Sequence, residues 1–372
     1  MDLSTSESAA SESGSSRTTK ENIKYAHDPA NHSSYKYKQY LPVYDQTIKF
    51  PPTEPFDFVD RGIKADKAKP HLLDTTDESV KVTKLTPRVG TQITGLQLSA
   101  LTEEQKDELA LLIAERGVVV FRDQDFKDIG IQRQKEFGQS FGRLHVHAVG
   151  SHVKGAVELH NIYVGPDNLD RAQPRATKLS TVVYHSDGSF EHQTPGVTIL
   201  TLLTVPPTGG DTGWVSQVAA YEQLSEPIQN LLEGLRAEHS GFGQVESARR
   251  DGKFVRREAV KTQHPMVRIH PATGEKALFV NQGFTKKIVG LKEEESDAIL
   301  QLLYKHISQS QDVQARVKWA EGTVCLWDNR VTCHAAISDY DFSSQETGQR
   351  HGFRITTLAE QPMGVDGLRS VW

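Results

Sequence analysis

The chain of 372 residues is short of sulfur, with two cysteines and three methionines. Two thiols, Cys325 and Cys333, are too few for the disulfide framework of a secreted scaffold. A reducing compartment, the cytoplasm, is therefore expected. Both cysteines read as small, buried, apolar side chains. No apolar run approaches the roughly 20 residues that a membrane helix needs. Neither sign of charge dominates, with 43 Lys and Arg against 48 Asp and Glu. Composition thus gives no reason to expect nucleic acid or an anionic membrane as a partner. The N-terminal stretch MDLSTSESAASESGSSRTTK has no apolar core, so it is not a secretory signal. Asp2, Glu7 and Glu12 argue against a transit peptide, and Leu368–Trp372 matches no address signal.

Composition divides what is present into three. Residues 1–22 form a Ser-rich, disordered tail. Residues 23–79 are polar and rich in Pro, Lys and Tyr (Tyr35, Tyr37, Tyr40, Tyr44). They read as an irregular arm over the main domain, or as a partly ordered linker. Residues 80–372 carry the regular patterns. Val80–Leu85 alternates as a strand. Thr102-Glu103-Glu104-Gln105 fits a capping box that opens a helix through Arg116. Val118–Phe121 reads as a buried strand and Ile131–Phe141 as a helix. Val182–Tyr184 and Val197–Leu203 are β-rich. Residues 215–237 read as a helix with Tyr221, Leu224, Ile228, Leu231, Leu232 and Leu235 as an apolar stripe. Ala277–Val280 is a strand, and Lys292–Ile307 an amphipathic helix. Thr323–Trp327 and Phe353–Leu358 close the chain as strands. No internal repeat is present. Many short strands with few helices predict a mainly β barrel or sandwich with flanking helices.

The chemistry concentrates in two runs, Val183-Tyr184-His185-Ser186-Asp187 and Trp327-Asp328-Asn329-Arg330-Val331-Thr332-Cys333-His334. On a strand, His185 and Asp187 point to the same side. A barrel gathers strand ends at its mouth, where His334 can join them. Two imidazoles and a carboxylate hold non-haem Fe(II) on one face. Zinc accepts the same set, so the triad alone leaves the metal open. His145-Val146-His147 is a second, weaker candidate metal pair. Gly209-Gly210 lacks the Lys and the pattern of a phosphate loop. His264 and His270 look like turn or surface residues, and Arg249-Arg250 with Arg256-Arg257 like a solvated basic loop.

Further motifs accompany the triad in order: Pro206-Pro207-Thr208-Gly209-Gly210-Asp211-Thr212, Ala277–Thr285 and Arg350. Together they resemble the taurine dioxygenase family, Fe(II)- and 2-oxoglutarate-dependent enzymes, from about Val80 to Pro362. The resemblance implies a double-stranded β-helix (jelly roll, cupin-like) with His185, Asp187 and His334 on iron. It implies 2-oxoglutarate and O2 as cosubstrates, with the far carboxylate of 2-oxoglutarate held by Arg350 and Thr212. A guanidinium fork matches a carboxylate bidentately. Arg354 matches the family's sulfonate-binding arginine and His147 its sulfonate-binding histidine. The segment between His334 and Arg350 is longer than in the family's bacterial members. Two positions on the amine side also depart: a family tyrosine corresponds to Gly150, and an asparagine to Thr181. The anion side survives, so a small anionic substrate with a different, larger or apolar tail is implied. Phe242 and Phe284 are candidates to line the tail pocket.

These readings converge on a dioxygenase that hydroxylates the carbon next to a sulfonate or sulfate ester. It would release an aldehyde with sulfite or sulfate, succinate and CO2, and serve sulfur scavenging. A homo-oligomer, dimer or tetramer, is expected. Rival readings are a dioxygenase of aryloxyalkanoates or purines, a zinc hydrolase, and a non-catalytic metabolite-binding barrel. A hydrolase gives no reason for the Thr212–Arg350 clamp. Replacing His185 or Asp187 by Ala is expected to abolish succinate formation. Full activity in either variant would refute the ligand assignment.

Overall fold

The computed structural model describes residues 23–25, 33–73, 76–165, 180, 182–341, 344 and 348–372. The expected tail, 1–22, lies outside the described residues. Ten strands form the major sheet in the order Ile23–Tyr25, Pro42–Asp45, His152–Val153, Ala156–Val164, Arg350–Leu358, Pro195–Thr204, Val324–Asp328, Val118–Phe121, Thr91–Thr94, Lys81–Lys84. A minor sheet pairs Gln314–Val317, Thr212–Ser216 and Thr332–Ala336.

The layers follow from which faces are apolar. Val120, Leu200, Leu202, Cys325 and Trp327 of the major sheet pack on Trp214, Ala315 and Val317 of the minor sheet. Trp214 and Trp327 meet edge to face at 5.6 Å, the preferred arrangement of two ring quadrupoles. The outer face of the major sheet is covered by the helices Glu103–Arg116 and Ile131–Gln139, through Leu109, Leu112, Ile113 and Phe137. The outer face of the minor sheet, with Val215 and Cys333, is covered by Gln217–Glu222 and Glu293–Gln309. A strand buried on both faces shows no polar alternation, which is why Val118–Phe121 reads as an unbroken apolar run; the β-rich Val197–Leu203 is likewise buried throughout, its two threonines included. Both cysteines are buried and unpaired. Thr102 and Gln105 form the expected capping box. Among the described residues no helix is long and apolar enough to cross a membrane.

The arm joins this core. Tyr40 is 2 % exposed and stacks on Phe353, with centroids 4.9 Å apart and planes at 10°. Its hydroxyl accepts from Gln134 and donates to the Lys127 carbonyl, both at 2.9 Å. Pro42–Asp45 pairs with His152–Val153 as a sheet strand.

Several expectations are corrected. Residues 215–237 are not one helix. Thr212–Ser216 is a strand, and Ser216 then caps a short helix by accepting from the Ala219 N–H at 3.1 Å. The helix Glu226–Glu233 and the strand Arg236–Ser240 follow. Val182–Tyr184 forms no strand; only His185 makes an isolated bridge, with His334. Ala156–Val164 is a strand that its polar residues conceal. His264 and His270 are fully buried, as are Arg256 and Arg257 to within 6 %. His264 bonds Ser370 at 2.6 Å and His270 bonds Asp328 at 3.1 Å. Arg256 donates to the carbonyls of His147 and Gly150, and Arg257 to that of Val146. The two guanidiniums thus strap the loop that carries His147.

Tyr40→Ala removes a stacked, hydrogen-bonded ring and is expected to cost about 3 kcal/mol in urea unfolding. Buried histidines set a second expectation. Burial holds His239 down to about 3, and pushes His145, His147 and His264 down as well. A lowered histidine pKa means the unfolded state takes up protons first. That stability is therefore complete above the unfolded value near 6.5 and is lost as pH falls toward the folded one. For His239 alone the loss between pH 7 and pH 5 is about 2 kcal/mol. Urea unfolding in EDTA at the two pH values checks it, and equal stability would contradict it.

Candidate active site

His185 and His334 meet through the backbone. The His185 N–H donates to the His334 carbonyl at 3.0 Å, and the His334 N–H donates back at 2.8 Å. Residues that exchange both bonds in an antiparallel pair project their side chains to one face. The two imidazole centroids accordingly lie 4.4 Å apart. Asp187, two residues on, places Oδ1 3.7 Å from Nε2 of each histidine. Donor atoms of all three lie within 4.8 Å of one another.

Their protonation suits a divalent metal. Nδ1 of His185 faces the Val183 carbonyl at 3.1 Å. A carbonyl only accepts, so Nδ1 donates there, and Nε2 is the nitrogen turned toward Asp187. Burial drives His334 down to about 3, so it is neutral at pH 7. Burial pushes the Asp187 carboxyl up, but Arg354 and the imidazoles outweigh it and hold it well below the usual range. Two imidazole nitrogens and a carboxylate are the donor set such a metal binds.

Asn329, which sequence reasoning did not single out, holds Asp187. Its Oδ1 accepts from the Asp187 N–H at 3.0 Å and from Trp327 Nε1 at 3.1 Å. Its Nδ2 donates to the Gly196 carbonyl and to Thr198 Oγ1, both at 2.8 Å. Two donors and two acceptor positions are thereby used in full. Thr198 in turn donates to Asp187 Oδ2 at 3.3 Å. Asn329 stands inside the quoted Trp327–His334 run, but its role depends on the pairing of Pro195–Thr204 with Val324–Asp328.

Arg350 and Arg354 share the inner face of one strand. Arg350 Nε donates to the Gly210 carbonyl at 2.9 Å, and Nη2 to Thr212 Oγ1 at 3.4 Å. Thr212 Oγ1 also accepts from Trp319 Nε1 at 3.0 Å. Two donors aimed at this oxygen leave the Thr212 proton for another acceptor. Arg354 Nη1 donates to Asp187 Oδ1 at 2.8 Å, and Nη2 donates to Nε2 of His147. Burial and then the Arg354 charge push His147 well below its ordinary value, so it is a neutral acceptor.

A cavity of about 690 Å³ is lined by His147, Gly150, His185, Thr212, His334, Arg350 and Arg354. Phe284 packs on Phe190, its centroid 6.3 Å from that of His185, outside the lining. Phe242 is 45 % exposed at the start of the helix Phe242–Arg250 and does not line the cavity either. Gln244, Ser247 and Ala248 of that helix do. Thr181 lies outside the described residues.

Residues 81–356 match the family described as taurine catabolism dioxygenase TauD, TfdA family. An alpha-ketoglutarate-dependent sulfonate dioxygenase of Saccharomyces cerevisiae is 40% identical over 329 residues, 88% of this chain and 79% of that protein. An alpha-ketoglutarate-dependent dioxygenase of Penicillium expansum, cnsP, is 43% identical over 88% of this chain and 87% of its own. The crystal structure of a taurine dioxygenase from Burkholderia xenovorans superposes with a TM-score of 0.63 at 30% identity, over 79% of this chain and 96% of that one.

Asn329→Ala leaves the Asp187 N–H and the Trp327 indole without their acceptor. It is expected to weaken binding of Fe(II) or Co(II) by about 10- to 100-fold, the scale of losing a group that orients a metal ligand. Anaerobic metal titration measures it, and unchanged affinity would deny Asn329 this role.

Proposed function

Because the chain belongs to the taurine catabolism dioxygenase TauD, TfdA family, we propose that it is an Fe(II)- and 2-oxoglutarate-dependent sulfonate dioxygenase. One observation carries the reading. His185 and His334 of the triad, the Arg350–Thr212 pair and the Arg354–His147 pair all line a single cavity, with Asp187 against the two histidines. His185, Asp187 and His334 would hold the iron. When bound, iron with 2-oxoglutarate and O2 supplies the oxidation, in which succinate and CO2 form and the carbon bearing sulfur is hydroxylated. The resulting product collapses to an aldehyde and sulfite.

The chain's residues bind and orient. Thr212 donates its hydroxyl proton to the far carboxylate of 2-oxoglutarate, and Arg350 pairs with that carboxylate as a fork. Arg354 and His147 take the substrate's anionic head. The yeast relative, a sulfonate dioxygenase by name, supports the head-group class. A sulfate ester is the second head group of the reading.

The major and minor sheets are read as the halves of a jelly roll, supported by their face-to-face packing. The boundary at residue 80 is kept as well, supported by a family match that begins at residue 81. A cytoplasmic homo-oligomer completes the reading. Its location is supported by two unpaired thiols, and its association by the exposed apolar residues Met363, Leu368, Val371 and Trp372.

Anaerobic protein with Fe(II) and 2-oxoglutarate is expected to show a weak charge-transfer band in the visible. Its absence would sink the dioxygenase reading. Assays of sulfonates, alkyl sulfates and aryloxyacetates for sulfite, sulfate and succinate test the head group. Succinate formed only with aryloxyacetates would replace the sulfonate by a carboxylate.

A further inference from the structure

The Arg350–Thr212 pair hangs on a turn of two glycines, and that turn is held from the stretch after His334. Gly209 and Gly210 take the left-handed backbone, with φ of +77° and +71°, a region that glycine enters freely and leaves as freely. The Gly210 carbonyl accepts from Arg350 Nε at 2.9 Å. The Gly210 N–H donates to Asp339 Oδ1, also at 2.9 Å. Gly210 is thus held by the arginine on one side and by a carboxylate on the other. Asp339 Oδ2 pairs with Arg316 Nη2 at 2.7 Å, and Arg316 Nε pairs with Asp211 Oδ2 at 2.6 Å. One guanidinium therefore ties Asp339 to the residue that follows the turn. The backbone adds a further tie, from the Ile337 N–H to the Asp211 carbonyl at 2.9 Å. Space is tight as well. A Cβ at position 209 would stand 2.7 Å from Asp339 Oδ1, and one at 210 would stand 3.3 Å from the Tyr340 ring. Thr212, next in the chain, lies opposite Ala336 and Val317 in the minor sheet. Of this corner, Thr212 and Arg350 line the cavity, whereas Asp339 and Arg316 do not.

We propose that Asp339, fixed by Arg316, is a positioning residue for 2-oxoglutarate. It touches no substrate and acts through Gly210, whose carbonyl sets the direction of the Arg350 fork. The inference rests on the cosubstrate clamp of the reading above and deepens it. A guanidinium matches a carboxylate bidentately only when its plane is aimed. The Gly210 carbonyl pins Nε, and the charge-assisted bond to Asp339 pins Gly210. The side chains of Asp339 and Arg316 are 40 % and 52 % exposed. An ion pair so open to water contributes little to stability, so its effect is on the geometry of the turn. Arg354 bonds Asp187 and His147 instead, and the metal site and head-group clamp are therefore held independently of this corner.

Calorimetric titration of 2-oxoglutarate into the Mn(II)-loaded full chain tests this without turnover. Asp339→Ala is expected to raise the Kd for 2-oxoglutarate about tenfold, as for one hydrogen bond to a charged group. Asp339→Asn keeps an acceptor for the Gly210 N–H and is expected to raise it by no more than about threefold. Mn(II) affinity and the urea midpoint are expected to stay at wild-type values in both variants. Wild-type affinity for 2-oxoglutarate in Asp339→Ala overturns the inference. So does a loss that Mn(II) affinity and the urea midpoint share, which marks a merely structural role. An equal loss in Asp339→Asn overturns the route through the Gly210 N–H. Arg350→Ala tests the underlying reading separately: if that variant binds 2-oxoglutarate as wild type does, the clamp itself is wrong, and this inference falls with it.

Discussion

Asp187 carries its charge into an interior where it is 2 % exposed. Burying an ion costs several kcal/mol even after the surroundings relax, unless it is paired and hydrogen-bonded. Each support comes from a different strand of the major sheet. Thr198 stands on Pro195–Thr204 and Arg354 on Arg350–Leu358, while Asn329 follows Val324–Asp328. These three strands are consecutive neighbours. A slip of one residue in either pairing would turn Thr198 or Arg354 to the opposite face. The register of the sheet and the charge at its centre therefore depend on each other.

The same demand recurs next door. Asp328 is fully buried, and burial pushes its carboxyl up. Arg330 and His270 outweigh that and hold it well below the usual range. Arg330 also pairs with Asp60 of the arm at 2.6 Å and with Glu360 at 3.0 Å. The turn that presents Asn329 is thus clamped from the arm on one side and from the end of the last strand on the other. A buried ion network of this kind contributes little net stability against an apolar replacement. Its effect here is geometric: it fixes the turn that fixes Asp187.

Two arginine arrangements sit side by side with different character. Arg350 leans on a carbonyl and on a threonine that an indole also orients. That suits a cosubstrate whose shape never varies. Arg354 bonds a neutral histidine in a cluster of three imidazoles, His145, His147 and His160. Under the proposed reading, cosubstrate and substrate would thus be held from one strand, Arg350–Leu358, by two of its inward positions.

Local patterns were legible wherever a short-range rule governs them. The spacing in His185-Ser186-Asp187, the four-residue interval from Arg350 to Arg354 and the capping box at Thr102 are such cases. So are the apolar runs buried on both faces. Residues 215–237 were misread because apolar periodicity does not show where Ser216 stops a strand and starts a helix. Arg256, Arg257, His264 and His270 were misread as surface because the partners that allow a polar side chain to be buried lie far along the chain. His160 carried no local signal at all. The sequence by itself determined the donor set, two imidazoles and a carboxylate with two arginines, and hence the chemistry open to the protein. Only the tertiary structure decided that His185 and His334 bond to each other, that Asn329 anchors Asp187, and that His160 fills the place beside Gly150. Strand register and long-range burial set those contacts, and neither is a property of any short stretch of chain.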